Sequence, residues 1–414
     1  MADWLAPALV PPSDRALAVM RLSLVDWLAC GIAGVAEPVS RATRALAKEE
    51  GGAGQATLFG GGRAPVRMAA LVNGATSHAL DYDDTHFAHI GHPSVAVIPA
   101  ALAMGERQGA GFHSVLRAAL AGCEASVRFG LMLGRGHYQV GFHQTATAGA
   151  FGATVAAGLL LGLERSMLDQ ALGLVSTRAS GLKSQFGTMG KPYNAGIAAA
   201  NGVEAAVLAA QGFVSNPGAL EGQNGFLPTH HADGAPDMSP GFLMEQVSHK
   251  FHACCHGLHA MLEALEALKP LDPGGVETVE ITTHPRWMTV CNQPEPATGL
   301  EAKFSYRAVT ALALLGYDTA ALGSYDDALV REPAVMALRD KVRVGADDAI
   351  PETAAVIRVK AGQWHEARHD LNTPLTLDQR SQRVRSKAES LLGHDAAWQA
   401  VQEGDLPAVL RLMQ

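Results

Sequence analysis

Charge is scarce in this chain. Of its 414 residues 17% are charged, against roughly 25% in an average soluble protein. Basic residues are the rarer sign, 32 Lys and Arg against 40 Asp and Glu, for a net charge of −8. An acidic chain is a poor partner for nucleic acid, where affinity comes mostly from Lys and Arg on phosphates, and for an anionic membrane surface. Cysteine is sparse too: Cys30, Cys123, Cys254, Cys255 and Cys291 are odd in number and irregular in spacing. They predict no disulfide framework and fit a reducing cytoplasm. The opening MADWLAPALVPPSDRALAV has no basic segment ahead of an apolar one, so no secretory leader is expected. Internal repeats and low-complexity tracts are missing as well. What is plentiful is apolar surface, at 48%, and glycine, with 44 residues and no Gly-X-Y period. Disorder and collagen are therefore both excluded. There are also 17 His, many for so uncharged a chain.

The length allows two or three domains of about 150 residues each. Apolar spacing of three and four residues predicts helices over 16–33, 68–80, 94–108, 113–133, 145–163, 166–174 and 195–210. The stretch 145–163, TATAGAFGATVAAGLLLGL, is long enough and uncharged enough for a membrane span. Its Ala, Gly and Thr content and the lack of flanking aromatic or basic residues favour a closely packed core helix instead. After about residue 270 the pattern changes. Residues 276–283 alternate like a strand and 354–370 read as a hairpin, with helices at 302–315 and 333–341 between them. The chain returns to helix through 392 and again over 396–413. The expected fold is mainly α, a large all-helical domain (1–248, with 376–414 packing back on it) plus a smaller α+β lid domain (249–375).

Four segments concentrate chemistry. NGATSHALDYDDTHFAHIGHP (73–93) holds His78, His86, His89 and His92 with Asp81, Asp83 and Asp84. Such a set can ligate a divalent metal, serve as acid, base and hydrogen-bonding groups around an anion, or simply cap helix ends. GRGHYQVGFHQT (134–145) sets His137, Tyr138 and His143 before the uncharged helix, with Thr145 as a candidate cap. LKSQFGTMGKPYNAG (182–196) contains a Gly-Lys pair, but Gln185 and Pro192 break the phosphate-loop pattern and no strand precedes it. Lys191 next to a helix start instead suits a carboxylate, the competing reading being a solvated lysine. SHKFHACCHGLH (248–259) has four His, adjacent Cys and Lys250. No second separated ligand pair supports structural zinc, and helical spacing would put Cys255 and His259 on one face. Arg380, Arg383, Arg385 and Lys387 read as a solvated basic face, and GGAGQATLFGGG (51–62) as a flexible loop.

Taken together and in order, these segments and EAKFS at 301–305 resemble the MmgE/PrpD family, which includes 2-methylcitrate dehydratase, cis-aconitate decarboxylase and iminodisuccinate epimerase. The resemblance covers nearly the whole chain. It implies a helical domain with a lid, a returning C-terminal tail, and an active site in the cleft between domains that is not known for a metal. Asp81, Thr85, His92, His143, Lys191 and Lys250 fall on its active-site positions, and Cys255 on a position that is His or Cys in relatives. Three residues depart from the pattern: Asn194 where many members have His, Ala253 for a common Pro, and Ala308 for a frequent aromatic. The chain length and Gly136–Tyr138 look more like the epimerase branch.

The expected activity is that of a lyase moving a proton at a carbon next to a carboxylate, 2-methylcitrate dehydratase-like, with epimerase-like and decarboxylase-like outcomes as alternatives. Asp81, His92, His143, Lys191 and Lys250 are the expected catalytic residues: His92 or His143 as base, the other or a Lys as acid, and Asp81 orienting a His. Thr85, Tyr138, Asn194 and Cys255 are the expected substrate-binding residues. No cofactor or metal is expected. The partner is a small anionic polycarboxylate, with no nucleic acid and no membrane, in a cytoplasmic homodimer. A metal-dependent hydrolase using the Asp/His cluster and a non-catalytic carboxylate-binding homologue are the readings from other classes.

Overall fold

Small side chains let the helical half pack backbone against backbone. In the computed structural model, which describes residues 3–414, helices α1 (Asp14–Ala33), α2 (Pro38–Glu50), α3 (Val66–Ser77), α4 (Pro93–Gln108), α5 (Phe112–Gln139), α6 (Gln144–Leu160), α7 (Arg165–Val175) and α8 (Gly190–Ala210) build one unit. Its described members are residues 3–249 and 384–414, and residues 250–383 form a second unit. Helix α6 is the uncharged stretch weighed above as a membrane span. It is buried from Gln144 through Gly158 and packed by α4, α5 and α8. A Cβ added at Gly122 of α5 would lie 2.6 Å from the Gly152 carbonyl oxygen of α6, and one at Gly74 of α3 would lie 2.9 Å from Gly196 Cα of α8. Both crossings are close enough that only glycine fits. Helix α1, extended to Ala36, is also long and apolar enough to cross a membrane, yet 72% of that window is buried inside the fold.

Several elements differ from the sequence expectation. Helix α2 escapes apolar spacing because polar Ser40 and Thr43 share its buried stripe with Val39 and Ala47. The glycine-rich segment 51–62 is not simply a loop. Its β1 (Ala56–Thr57) pairs antiparallel with β2 (Arg63–Ala64), and Glu106 accepts from the Thr57 amide at 2.7 Å and its hydroxyl at 2.9 Å. Helix α5 runs past Leu133 to Gln139 across a kink at Gly134 (φ 70°). Thr145 does not cap α6. The residue before that helix is His143, and the Thr145 hydroxyl accepts from the His92 amide at 3.1 Å.

The second unit carries a four-stranded sheet in the order β4-β3-β5-β6. Strands β3 (Thr278–Thr283), β5 (Ala354–Ala361) and β6 (Gln363–Asp370) are the expected ones. The unexpected β4 (Val342–Ala346) runs parallel to β3 at the edge, mostly exposed, so it lacks an apolar signature. The helix expected over 302–315 is two: Gly299–Ala302, closed by a Thr298/Glu301 capping box, and Tyr306–Leu314, capped by Ser305. The tail consists of helices Leu377–Leu392, Ala396–Glu403 and Leu406–Leu412, the last two separated by left-handed Gly404.

One residue of the basic face is not solvated. Lys387 is 3% exposed. Its ammonium lies 2.5 Å from Asp26 Oδ1, donates to the Tyr82 carbonyl at 2.5 Å and sits 3.9 Å from the Tyr82 ring centre. This clasp ties the returning tail to α1 and to the backbone between Asp81 and Asp83. Burial pushes the Asp26 carboxyl up to about 6 against the pull of Lys387. Replacing Lys387 by Met leaves that acid buried without its partner, an imbalance that costs about 3–5 kcal/mol. Urea unfolding of Lys387→Met is expected to show that loss, with most of it recovered in the double variant Asp26→Leu/Lys387→Met. A single variant within 1 kcal/mol of the parent, on the scale of about 0–1 kcal/mol typical of exposed pairs, would show that the clasp is not structural.

Candidate active site

Helix ends converge on the site. His92 and His143 are the residues just before α4 and α6, in extended conformation, and neither side chain caps its own helix. Their rings are therefore free to face one another's surroundings. Lys191 is in the first turn of α8, and His78 follows the last turn of α3. Three helix N-termini, with their unpaired amides and positive dipole ends, thus gather near the same side chains, an arrangement that favours an anion.

Asp83 organises the cluster. Its Oδ1 accepts from His78 Nδ1 at 2.8 Å and its Oδ2 lies 2.7 Å from His92 Nδ1, with Asp83 and His78 fully buried. Burial alone would raise the pKa of Asp83, yet the two imidazoles hold it well below the usual carboxylate range. His78 Nδ1 donates to Asp83, and at His92 a carboxylate faces each ring nitrogen, the second of them at Nε2. That atom is 3.4 Å from Asp81 Oδ1, and the same oxygen takes the Lys191 ammonium at 2.6 Å. Burial lowers the His92 pKa against the pull of Asp83. Asp81 itself is held at φ 51°, a left-handed backbone uncommon for a non-glycine residue.

His143 faces the cluster from the other side. Its ring centre is 6.3 Å from that of His78 and stands edge-on to Phe186 at 4.9 Å. Asn194 Nδ2 lies 3.2 Å from its Nδ1. Burial, reinforced by Lys191, pushes its pKa well down. The structure therefore brings Asp81, His92, His143, Lys191 and Asn194 together. Thr85 pairs through its backbone with Ser248 (2.9 and 2.7 Å). The Tyr138 ring lies beneath the Lys183 ammonium, 3.9 Å away, and its carbonyl accepts from that group at 2.9 Å. His137 is a core imidazole, bonded to the His230 carbonyl and the Thr147 hydroxyl.

Lys250 and Cys255 belong to the second unit. Lys250 is buried. Cys255 is half-buried and precedes a single turn, His256–Leu258, with the helix beginning at His259. Cys255 and His259 therefore do not share a helix face. The five described cysteines are free thiols.

Sequence reasoning gave the orienting role to Asp81, which lies beside His92 Nε2; it missed Asp83, which bonds His78 and lies beside His92 Nδ1. The five-residue step from His78 to Asp83 was a signal for this, since it spans the C-terminus of α3 and the turn after it. Phe186 gave no signal at all. His78, Asp81, Asp83 and His92 offer atoms within 4.8 Å of one another, a spacing suited to a divalent cation. Each carboxylate already holds a partner, however, and a cation bound there would have to displace Lys191 from Asp81.

The loop also carries imidazoles with no part in this cluster. Burial lowers His86 to about 4 and His89 to about 3. His86 Nε2 donates to the Leu243 carbonyl at 3.0 Å. Both rings are neutral when folded, but in the unfolded chain they protonate near pH 6.5. Their contribution to stability is complete above that pH and is lost as pH falls toward 4 and 3, by about 2 kcal/mol per ring at pH 5. Urea unfolding at pH 7 and pH 5 is expected to show this fall, reduced by about 2 kcal/mol in His86→Gln, which keeps the donor to Leu243. An unchanged pH dependence in the variant would mean that His86 titrates normally in the fold.

Comparison with known proteins agrees with this architecture. The MmgE/PrpD N-terminal domain matches residues 1–238 and the MmgE/PrpD C-terminal domain residues 252–403. A cis-aconitate decarboxylase of Aspergillus terreus is 27% identical over 423 residues, covering 92% of this chain and 86% of that protein. The cis-aconitate decarboxylase of Homo sapiens is 26% identical over 419 residues, covering 92% and 85%. A cis-aconitate decarboxylase-like protein of Aspergillus oryzae is 28% identical over 295 residues, covering 65% and 61%. With both of its domains matched along this one sequence, the chain belongs to the MmgE/PrpD family.

Proposed function

We propose that the protein is a lyase that decarboxylates a small unsaturated polycarboxylate of the cis-aconitate type. The observation that carries the reading is the Asp83-held His92 beside the Asp81–Lys191 pair, at a point where three helix N-termini converge. The names of the relatives favour decarboxylation over the dehydration of 2-methylcitrate expected from the sequence.

All reactions of this kind share an enediolate, formed when an electron pair is placed on carbon next to a carboxylate. Cationic groups and hydrogen-bond donors aimed at that oxygen stabilise it in a dry site. In decarboxylation the C–C bond to the departing carboxylate breaks and CO2 leaves. The bonding pair then delocalises through the double bond to the remaining carboxylate. A proton then forms a C–H bond at the far end of the allylic system, giving a five-carbon dicarboxylate with its double bond shifted. Lys191 supplies the proton and regains one from solvent through Asp81, so one proton is consumed per turnover. The helix ends hold the carboxylates that do not react.

The test is proton NMR of the purified protein with cis-aconitate in deuterated water. CO2 release with one deuterium at the carbon next to a carboxylate is expected. Water loss from 2-methylcitrate without action on cis-aconitate would replace decarboxylation by dehydration. Thermal stabilisation by every polycarboxylate without turnover would make the protein a binding homologue, and loss of activity on chelation would favour the metal-dependent hydrolase. Asp83→Asn cannot accept from both Nδ1 atoms, and its kcat is expected to fall at least about 100-fold, as is that of His143→Ala. A folded variant of either kind with full activity would remove that residue from the mechanism.

A further inference from the structure

We propose that Asn194 locks His143 as the neutral tautomer protonated on Nε2, so that His143 works as a hydrogen-bond donor to the enediolate oxygen rather than as acid or base. This rests on the lyase reading above and assigns a role within it. Asn194 is a positioning residue that acts through His143.

The argument starts from the amide. Asn194 is 6% exposed, and its Nδ2 is 3.2 Å from His143 Nδ1 and 3.4 Å from the Leu182 carbonyl oxygen. A carbonyl only accepts, so the amide nitrogen rather than the amide oxygen must face Leu182. The second hydrogen of that nitrogen then points to His143 Nδ1, which has to be bare to receive it. A neutral imidazole has one ring proton, and here it resides on Nε2. The charged and titratable groups around the ring are Lys191, His78, His92 and Asp81. With Lys191 the fixed cation among them, a second positive charge on His143 is disfavoured. A neutral imidazole does not readily give up its remaining proton, but it polarises an oxyanion well.

The contrast with His92 is built into the chain. There the neighbours are carboxylates, Asp83 at Nδ1 and Asp81 at Nε2, which only accept. One imidazole is therefore flanked by acids, and the other is aligned by an amide and presents a proton. Asn194→Asp replaces the donor at His143 with an acceptor and should reverse that tautomer.

Histidine 15N–1H correlation spectra of the protein without substrate, with His143 assigned by its loss in His143→Ala, read the tautomer directly. Parent protein is expected to show Nδ1 bare and Nε2 protonated from pH 6 to 8. Asn194→Asp is expected to show Nδ1 protonated, with kcat lowered at least about 100-fold, KM within about threefold and a new limb in the pH profile of kcat. If the Asp variant fails to fold, Asn194→Ala is expected to show both tautomers in exchange. A protonated Nδ1 in the parent, or an unchanged His143 in the variants, would overturn the proposal. The bare-Nδ1 tautomer in a protein inactive on every polycarboxylate would overturn the lyase reading and leave the hold of Asn194 on His143 standing.

Discussion

The Asp83 carboxylate is the point on which the site depends. One buried acid accepts from His78 at the end of α3 and lies within hydrogen-bond distance of His92 at the start of α4. An ion in so dry a place would be costly if unpaired, and the His78 N–H with the second imidazole beside it makes it tolerable. Fixing the two rings also fixes the turn between them. Asp81 is thereby held in a left-handed conformation with Lys191 on its carboxylate. The backbone of the same turn is gripped from the opposite side, where Lys387 bonds to the Tyr82 carbonyl and Asp26. The histidine cluster and the structural clasp are two sides of one short stretch of chain.

Close packing explains how the helices deliver their ends to that stretch. Gly122 against Gly152 and Gly74 against Gly196 bring α5, α6, α3 and α8 nearly into backbone contact. A methyl group at these crossings would push helices apart, and the ends that carry His143, His78 and Lys191 would move with them. The scarcity of charge in the sequence follows from the same design, because helices buried on most sides leave little surface to solvate.

Much of this was legible in the sequence. The helices of the first half announced themselves by Ala-rich apolar spacing, and α6 was recognisable as a core helix from its small residues. The density of His and Asp over 73–93 marked the site. What escaped was decided by three-dimensional partners. Lys387 looks like its neighbours Arg383 and Arg385 along the helix, and only Asp26, more than three hundred residues away, distinguishes it. Asp81 and Asp83 are equally good carboxylates in the string DYDD, and the backbone turn decides that Asp83 lies between His78 and His92 while Asp81 takes Lys191. The lysine over the Tyr138 ring lies in another segment and gave no signal. β4 has no apolar alternation because an edge strand with exposed side chains needs none.

His92 and His143 differ in what lies beside them, carboxylates for one and an amide for the other, and that difference bears on the proposed reaction. A reaction that begins by removing a proton needs a bare nitrogen at the carbon and a donor at the oxygen. One that begins by losing CO2 needs the donor at the oxygen first and a proton source only afterwards. His92, flanked by two carboxylates, is the candidate to take up a proton. His143, held by an amide, offers a donor, and the Lys191 ammonium offers a proton. The set is complete for either order of events, and the geometry of the bound substrate selects between them. Whichever carbon lies near Lys191 is protonated, and whichever carboxylate turns its bond perpendicular to the conjugated plane is the one that can leave. In the proposed lyase, therefore, the pose of the substrate and not a change of side chains would choose between loss of CO2 and removal of a proton.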